Sequence, residues 1–385
     1  MLSKSRGRRF YLIFLRMFKP KQYLVHFSLF ILTLLTTTLA GGEWVYGKSI
    51  MTSGDSALTW EYFFKSMAFS IPFIGILLVH EMGHFFTSLY HKVRCTLPFF
   101  IPAWLGFIGA PSIGTFGAII QMRGLVNSRK KFFDIGIAGP LAGFVVALGV
   151  LIYGFTHLPE ADYIYQVHPE YADPNFEGYG EDVLDFELGK NLLFWGMGEL
   201  LADPERLPEM SEVIHYPFLF AGYLALFFTA LNLLPIGQLD GGHVIFGLFP
   251  KKNALISLVA FTLFLAYAGL GIISPSQPLG ELMIRIPLYV GFLYICYTKS
   301  DLSNPTKLAL ALSLAAGQYA FVFFRPDWEG YQGWLFFGFL LGRVMGLKHP
   351  EVTSTKPMDW KRKALGWIAI LIFILCFSPQ PFVFK

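Results

Sequence analysis

The amino-acid sequence predicts an all-α polytopic membrane protein with about nine transmembrane segments. Three observations carry this. Of 385 residues, 54% are apolar or aromatic and only 15% are charged, and the mean hydropathy is +0.52. The apolar residues also gather into runs of roughly 20, the length that spans a hydrocarbon core. The same composition excludes disordered, collagen-like and coiled-coil chains. The runs lie at 23–40, 62–90, 132–157, 216–249, 253–274, 282–297, 308–324, 331–346 and 364–382. The run 216–249 is too long for one straight span and holds Pro235 and Gly237, so a broken helix is expected there.

The net charge of +4 conceals a segregation. Residues 159–212 carry 14 Asp and Glu against only Lys190 and Arg206, and the rest of the chain is correspondingly basic. Two aqueous faces of opposite sign across a bilayer explain this pattern; a nucleic-acid partner does not. Lys4, Arg6, Arg8, Arg9, Arg16, Lys19 and Lys21 precede the first run and hold that end on the cytoplasmic side or its equivalent. Threading the runs alternately puts Lys92 and Arg94, Arg129–Lys131, Lys251 and Lys252, Lys299 and Lys307, and Lys361–Lys363 on that side too. The acidic stretch falls on the other. Thr38-Leu39-Ala40 before Gly41 loosely resembles a signal-cleavage site, but the long basic region favours an uncleaved span. Cys95, Cys296 and Cys376 are far apart and form no CxxC, which indicates neither a disulfide framework nor a cysteine zinc cluster.

Three sections follow: 1–60 with the basic segment, first span and short loop; 61–250 as the core, including the acidic loop 159–212; and 251–385, further spans of unknown role. Within the acidic loop, Leu188, Leu192 and Trp195 have the spacing of a helix lying on the membrane surface. A solvated, topology-setting loop is the simpler expectation.

The sharpest signal is His80-Glu81-Met82-Gly83-His84, an HExxH pattern inside an apolar helical run. Histidines four apart lie about 6 Å along one helix face, from which both imidazoles reach one zinc ion. Glu81 can then take a proton from the attacking water and return it to the leaving amine. A helix that merely carries these residues, for instance beside an ion path, is the plainer explanation, but ionisable groups are costly inside a membrane and usually functional. His91 shares the face of His84 but sits at the basic boundary, which favours an interfacial role.

Two histidines do not complete a catalytic zinc site, which commonly has three protein ligands. The best candidate for the third is Asp240, amid the helix-breaking residues of Asn232–His243. Asp240 lies 11 residues before Lys251 and His84 eight before Lys92. On largely helical stretches these are depths of about 17 and 12 Å from the same basic face.

With both motifs in place, the chain resembles the site-2 protease family of intramembrane zinc metalloproteases. Members pair HExxH on one span with N-x-x-P-x-x-x-L-D-G on a later one, matched here by His80–His84 and Asn232–Gly241. A glycine-rich stretch, Gly114–Ile120, and the segment Asp134–Gly143 complete four motifs in family order over residues 60–250. The resemblance implies a three-span metalloprotease core and one zinc ion per chain, held by His80, His84 and Asp240. Glu81 would be the catalytic acid/base, and Asn232 would position substrate or intermediate. One departure is Gly237-Gln238, where many members have a second proline, an exchange expected to loosen the turn.

Residues 97–120 are apolar but rich in proline and glycine, so a re-entrant loop or β-hairpin is expected. Phe116, Gly117, Ala118 and Ile119 could offer a strand edge to an unwound substrate, or the hairpin could simply plug the site. Gly136, Gly139, Ala142 and Gly143 allow close helix packing, and His243 could orient a ligand or merely pack. Glu281, Arg285, Arg325 and Arg343 read as snorkelling residues near span ends.

The expected partners are a transmembrane protein substrate and the lipid bilayer, with no nucleic acid; the acidic loop is short for a PDZ module, which leaves room for an unidentified regulatory partner. The expected location is a bacterial inner membrane, with the N-terminus and the loops near the site in the cytoplasm. The alternative from a different class is a metal-ion or proton transporter built on the same His/Glu/Asp cluster.

Overall fold

The computed structural model describes residues 20–172 and 186–384. The basic residues Lys4 to Lys19 and the acidic residues within 173–185 lie outside the described residues.

Helices dominate: α1 (Pro20–Tyr46), α2 (Trp60–Tyr90), α3 (Arg129–Thr156), α4 (Leu192–Leu201), α5 (Pro217–Asn232), α6 (Asp240–Leu248), α7 (Asn253–Ala268), α8 (Leu279–Cys296), α9 (Asn304–Phe324), α10 (Gly333–Phe339) and α11 (Trp360–Cys376). A π-helical turn, Leu340–Met345, continues α10. Strands form two antiparallel pairs, β1 (Phe99–Ala103) with β2 (Gly114–Ile119) and β3 (Phe186–Leu188) with β4 (Phe382–Phe384).

Among the described residues five helices, α1, α2, α3, α8 and α9, are long and apolar enough to cross a membrane. Proline and glycine cut the other apolar runs short. The run 216–249 is broken between Asn232 and Asp240, as Pro235 and Gly237 predict. The run 253–274 stops at Ala268, before Gly269 and Gly271, the latter at φ +90°. With 16 residues, α5 reaches about 24 Å, less than a hydrocarbon core of about 30 Å.

The chain divides into two compact units, one of residues 1–124, 145–177 and 202–225 and the other of 125–144, 178–201 and 226–385. In the first, α1 lies along α2, and small residues permit the approach: a side chain at Gly41 would meet the Phe69 ring at 2.9 Å. Thr38 and Ser70 exchange a buried hydrogen bond of 2.7 Å between these helices. Phe69 stacks on Phe220 at 5.0 Å, and Gly222 admits Leu151 from the end of α3.

In the second unit the core is built from α7, α8, α9 and α10, around Phe261, Leu265, Leu293, Tyr297, Ala311 and Trp334. Arg129, at the start of α3, donates from Nε and an Nη to the Gly247 carbonyl at the end of α6. Arg362 grips both carboxylate oxygens of Asp134 at 2.7 Å. The stretch expected as a solvated loop instead contains α4, where Asn191 Oδ1 caps by accepting from the Phe194 amide at 2.9 Å. Phe194 and Met197 are buried, because the apolar face of α4 has α11 to pack against.

Candidate metal centre

The helix that carries HExxH is long for its task. Its 31 residues reach about 46 Å, and Thr59 caps the start by accepting from the Tyr62 amide. Pro72 lies inside it and lacks an N–H, so one rung of the helical ladder is absent two turns before the motif. Phe85, fully buried with Cys95 against Met82, Leu89, Leu97 and Ile120, fixes the end of α2 against the base of the β1–β2 hairpin.

Of the residues expected at the site, the first unit holds His80, Glu81 and His84. His80 and Glu81 are buried and His84 is half-buried. The Nε2 atoms of the two histidines face each other at 3.1 Å, with their rings edge to face. Two nitrogens that share one tetrahedral zinc at ordinary bond lengths are about 3.3 Å apart. The pair therefore fits a zinc ion without changing the backbone. His91 caps the end of α2 against Tyr90, at the boundary where the basic residues begin.

Phe116, Gly117, Ala118 and Ile119 also lie in the first unit, on β2. Phe99 pairs with Ile119 and Phe100 with Ala118, and a register shift follows before Pro102 opposite Thr115. The hairpin form of the expected 97–120 structure is thus present. Gly114, at φ +80°, is required by crowding, since a Cβ would stand 2.3 Å from the Thr37 Cα on α1. Phe116 is 70% and Ile119 56% exposed.

The second unit holds Asn232 and Asp240, at the two ends of the break between α5 and α6. Gly237 adopts φ +54°, a value closed to proline, and its amide donates to Ser257 Oγ at 2.9 Å. Ser257 in turn donates to the Leu347 carbonyl. The departure at Gly237-Gln238 thus comes with an anchored turn. The chain then doubles back so tightly that a Cβ at Gly241 would lie 2.0 Å from the Leu233 carbonyl, and one at Gly242 2.3 Å from that of Gly237. This explains the glycines after Asp240. The aspartate opens α6, where the helix dipole favours a carboxylate.

His243 packs against a second histidine. Its Nδ1 meets Nε2 of His349 at 2.8 Å, and Phe132 and Phe246 enclose the pair. Gly136 makes room, since a Cβ there would lie 2.6 Å from that of His243. Sequence reasoning missed His349. It is 106 residues away, and no local pattern marks it.

Residues 68–274, more than half of the chain, match the model of peptidase family M50, and both motifs fall inside the match. The chain belongs to peptidase family M50. A rice protein named probable zinc metalloprotease EGY1, chloroplastic (Oryza sativa subsp. japonica) is 32% identical over 217 residues, 56% of this chain and 32% of the relative. The Arabidopsis thaliana protein of the same name is 30% identical over 203 residues, 53% of this chain and 33% of its own length. A rice protein (Oryza sativa subsp. indica) named probable zinc metalloprotease EGY2, chloroplastic, is 28% identical over 190 residues, 49% of this chain and 30% of the relative. The matched region thus spans about a third of the length of these relatives. No solved structure matches the chain. Membership of a peptidase family does not favour the transporter alternative, and the chloroplastic names lend no support to a bacterial inner membrane.

Proposed function

We propose that this M50 chain is an intramembrane zinc metalloprotease that hydrolyses peptide bonds in or beside the transmembrane segments of membrane-protein substrates. The observation that carries the reading is the opposed Nε2 pair of His80 and His84 beside the buried Glu81 on an apolar helix. One zinc ion per chain would be held by His80, His84 and Asp240. When bound, it supplies Lewis acidity, lowering the pKa of water and polarising the scissile carbonyl.

The chain's own groups do the rest. Glu81 takes the proton of the attacking water and delivers it to the leaving amine, a role worth about 10²–10⁴ in rate. Asn232 donates a hydrogen bond that positions the substrate carbonyl and its tetrahedral intermediate. The 116–119 segment receives the unwound substrate as a further strand. In support, β2 pairs only with β1 among the described residues, and Phe116 and Ile119 are exposed on it.

The catalytic core is assigned to 61–250, with nine crossings in all. Besides the five long helices, the broken α5–α6 pair, α7, α10 with its π turn, and α11 supply four. Parity supports this. β3, in the acidic stretch, pairs with β4 at the far end, so an even number of crossings separates them, as the six assigned there do. The basic face is placed in the cytoplasm or its organellar equivalent.

The test is co-expression with single-span membrane reporters, in wild-type and Glu81→Gln forms. Cleaved fragments are expected only with wild type, and equal cleavage by both forms would end the protease reading. Phe116→Asp and Gly117→Pro should slow cleavage while expression is kept; unaltered cleavage removes the strand-edge role.

A further inference from the structure

A second group of metal-ligating side chains lies in the first unit, apart from HExxH. His168, Glu212 and His215 bring one donor atom each within 4.8 Å of one another. His168 follows the helical turn Ile164–Val167, while Glu212 precedes and His215 ends the 3-10 turn Val213–His215 just before α5. We propose that His168, Glu212 and His215 form a second divalent-cation site, of zinc type, that ties the acidic loop to the entry of α5.

The donors are held in ways that suit a ligand set. Nδ1 of the buried His215 lies 2.8 Å from the Val45 carbonyl at the end of α1. A carbonyl only accepts, so Nδ1 carries the proton and the lone pair sits on Nε2. That Nε2 faces Nε2 of His168 at 3.0 Å, close to the spacing of two imidazoles on one ion. Glu212 has one oxygen, Oε1, held by the Tyr171 hydroxyl at 3.1 Å, while its buried Oε2 lies 3.8 Å from His215 Nε2. Carbonyl and phenol thus orient the ligands from behind, as partners of metal-bound side chains do. Two imidazoles and one carboxylate suit zinc over calcium or magnesium, which prefer all-oxygen sets. The loop, the turn and the end of α1 would be joined at one point.

The full chain, purified in detergent and stripped of metal, is titrated with Co²⁺ and Zn²⁺, and bound metal is counted. Wild type should bind two ions per chain. His80→Ala/His84→Ala should keep one, and His168→Asn or Glu212→Gln should each lose one. A folded His80→Ala/His84→Ala variant that binds none overturns the site, as do His168→Asn and Glu212→Gln chains that bind as many ions as wild type. A second readout needs no variant: free zinc tenfold above its Kd should slow chymotrypsin cutting at Tyr163, Tyr165 and Tyr171 about tenfold. Unchanged cutting would mean a metal-free hydrogen-bonded cluster only, and overturns the proposal.

Discussion

His80 with His84 and His243 with His349 both place ring nitrogens about 3 Å apart, yet the two pairs are different objects. In the second pair, His349 Nδ1 lies 2.8 Å from the Pro350 carbonyl, which fixes its proton there. His349 Nε2 therefore accepts from His243 Nδ1–H, and the pair is a satisfied donor and acceptor sealed by Phe132 and Phe246. In the first pair both Nε2 atoms converge from one helix face with a carboxylate, Glu81, in the same turn. Proximity of histidines is therefore weak grounds for a metal. A carboxylate in the same helical turn separates the cases.

The largest expected effect is on the first pair. Glu81→Gln should reduce cleavage about 10³-fold while zinc content is kept, and His84→Ala should lose one zinc equivalent per chain. Metal analysis of both proteins alongside a reporter assay checks this, and a zinc content in His84→Ala equal to that of wild type would erase the contrast. Next is the turn that presents Asp240. Gly241→Ala drives a Cβ into the Leu233 carbonyl and should destabilise by about 2–3 kcal/mol, read as a lower melting temperature in detergent.

A smaller effect is expected in the packing pair. His349→Phe strands a buried N–H on His243 and should cost about 1–3 kcal/mol without changing bound metal. If zinc is lost instead, the pair is not merely packing. The remaining effect concerns acid. Burial pushes His349 down to about 4, with the bond to Pro350 opposing in part. An unfolded histidine takes up its proton near 6.5, so this contribution is complete above pH 6.5 and is lost as pH falls from there towards 4. His349→Phe should flatten that part of the stability profile; an unchanged slope assigns it elsewhere.

Much of this was legible in the sequence because the decisive patterns are local. HExxH needs one helix and a four-residue repeat, and Pro235 with Gly237 announces a break wherever it lies. The turn 97–120 announced itself by its glycines and prolines. What could not be read was pairing over distance: Arg362 with Asp134, 228 residues apart, and His349 with His243. Helix α4 was underestimated for a related reason. Its charged flanks suggested solvation, and the apolar face only makes sense once α11 is there to cover it.

The pairing of β3 with β4 joins residues 186–188 to 382–384. These partners are separated by about 200 positions, so the ribosome must release nearly the whole second unit before its last strand can dock. Long-range pairing of this kind closes slowly. Until then, one rim of the nascent protein stays open to proteolysis and to other chains.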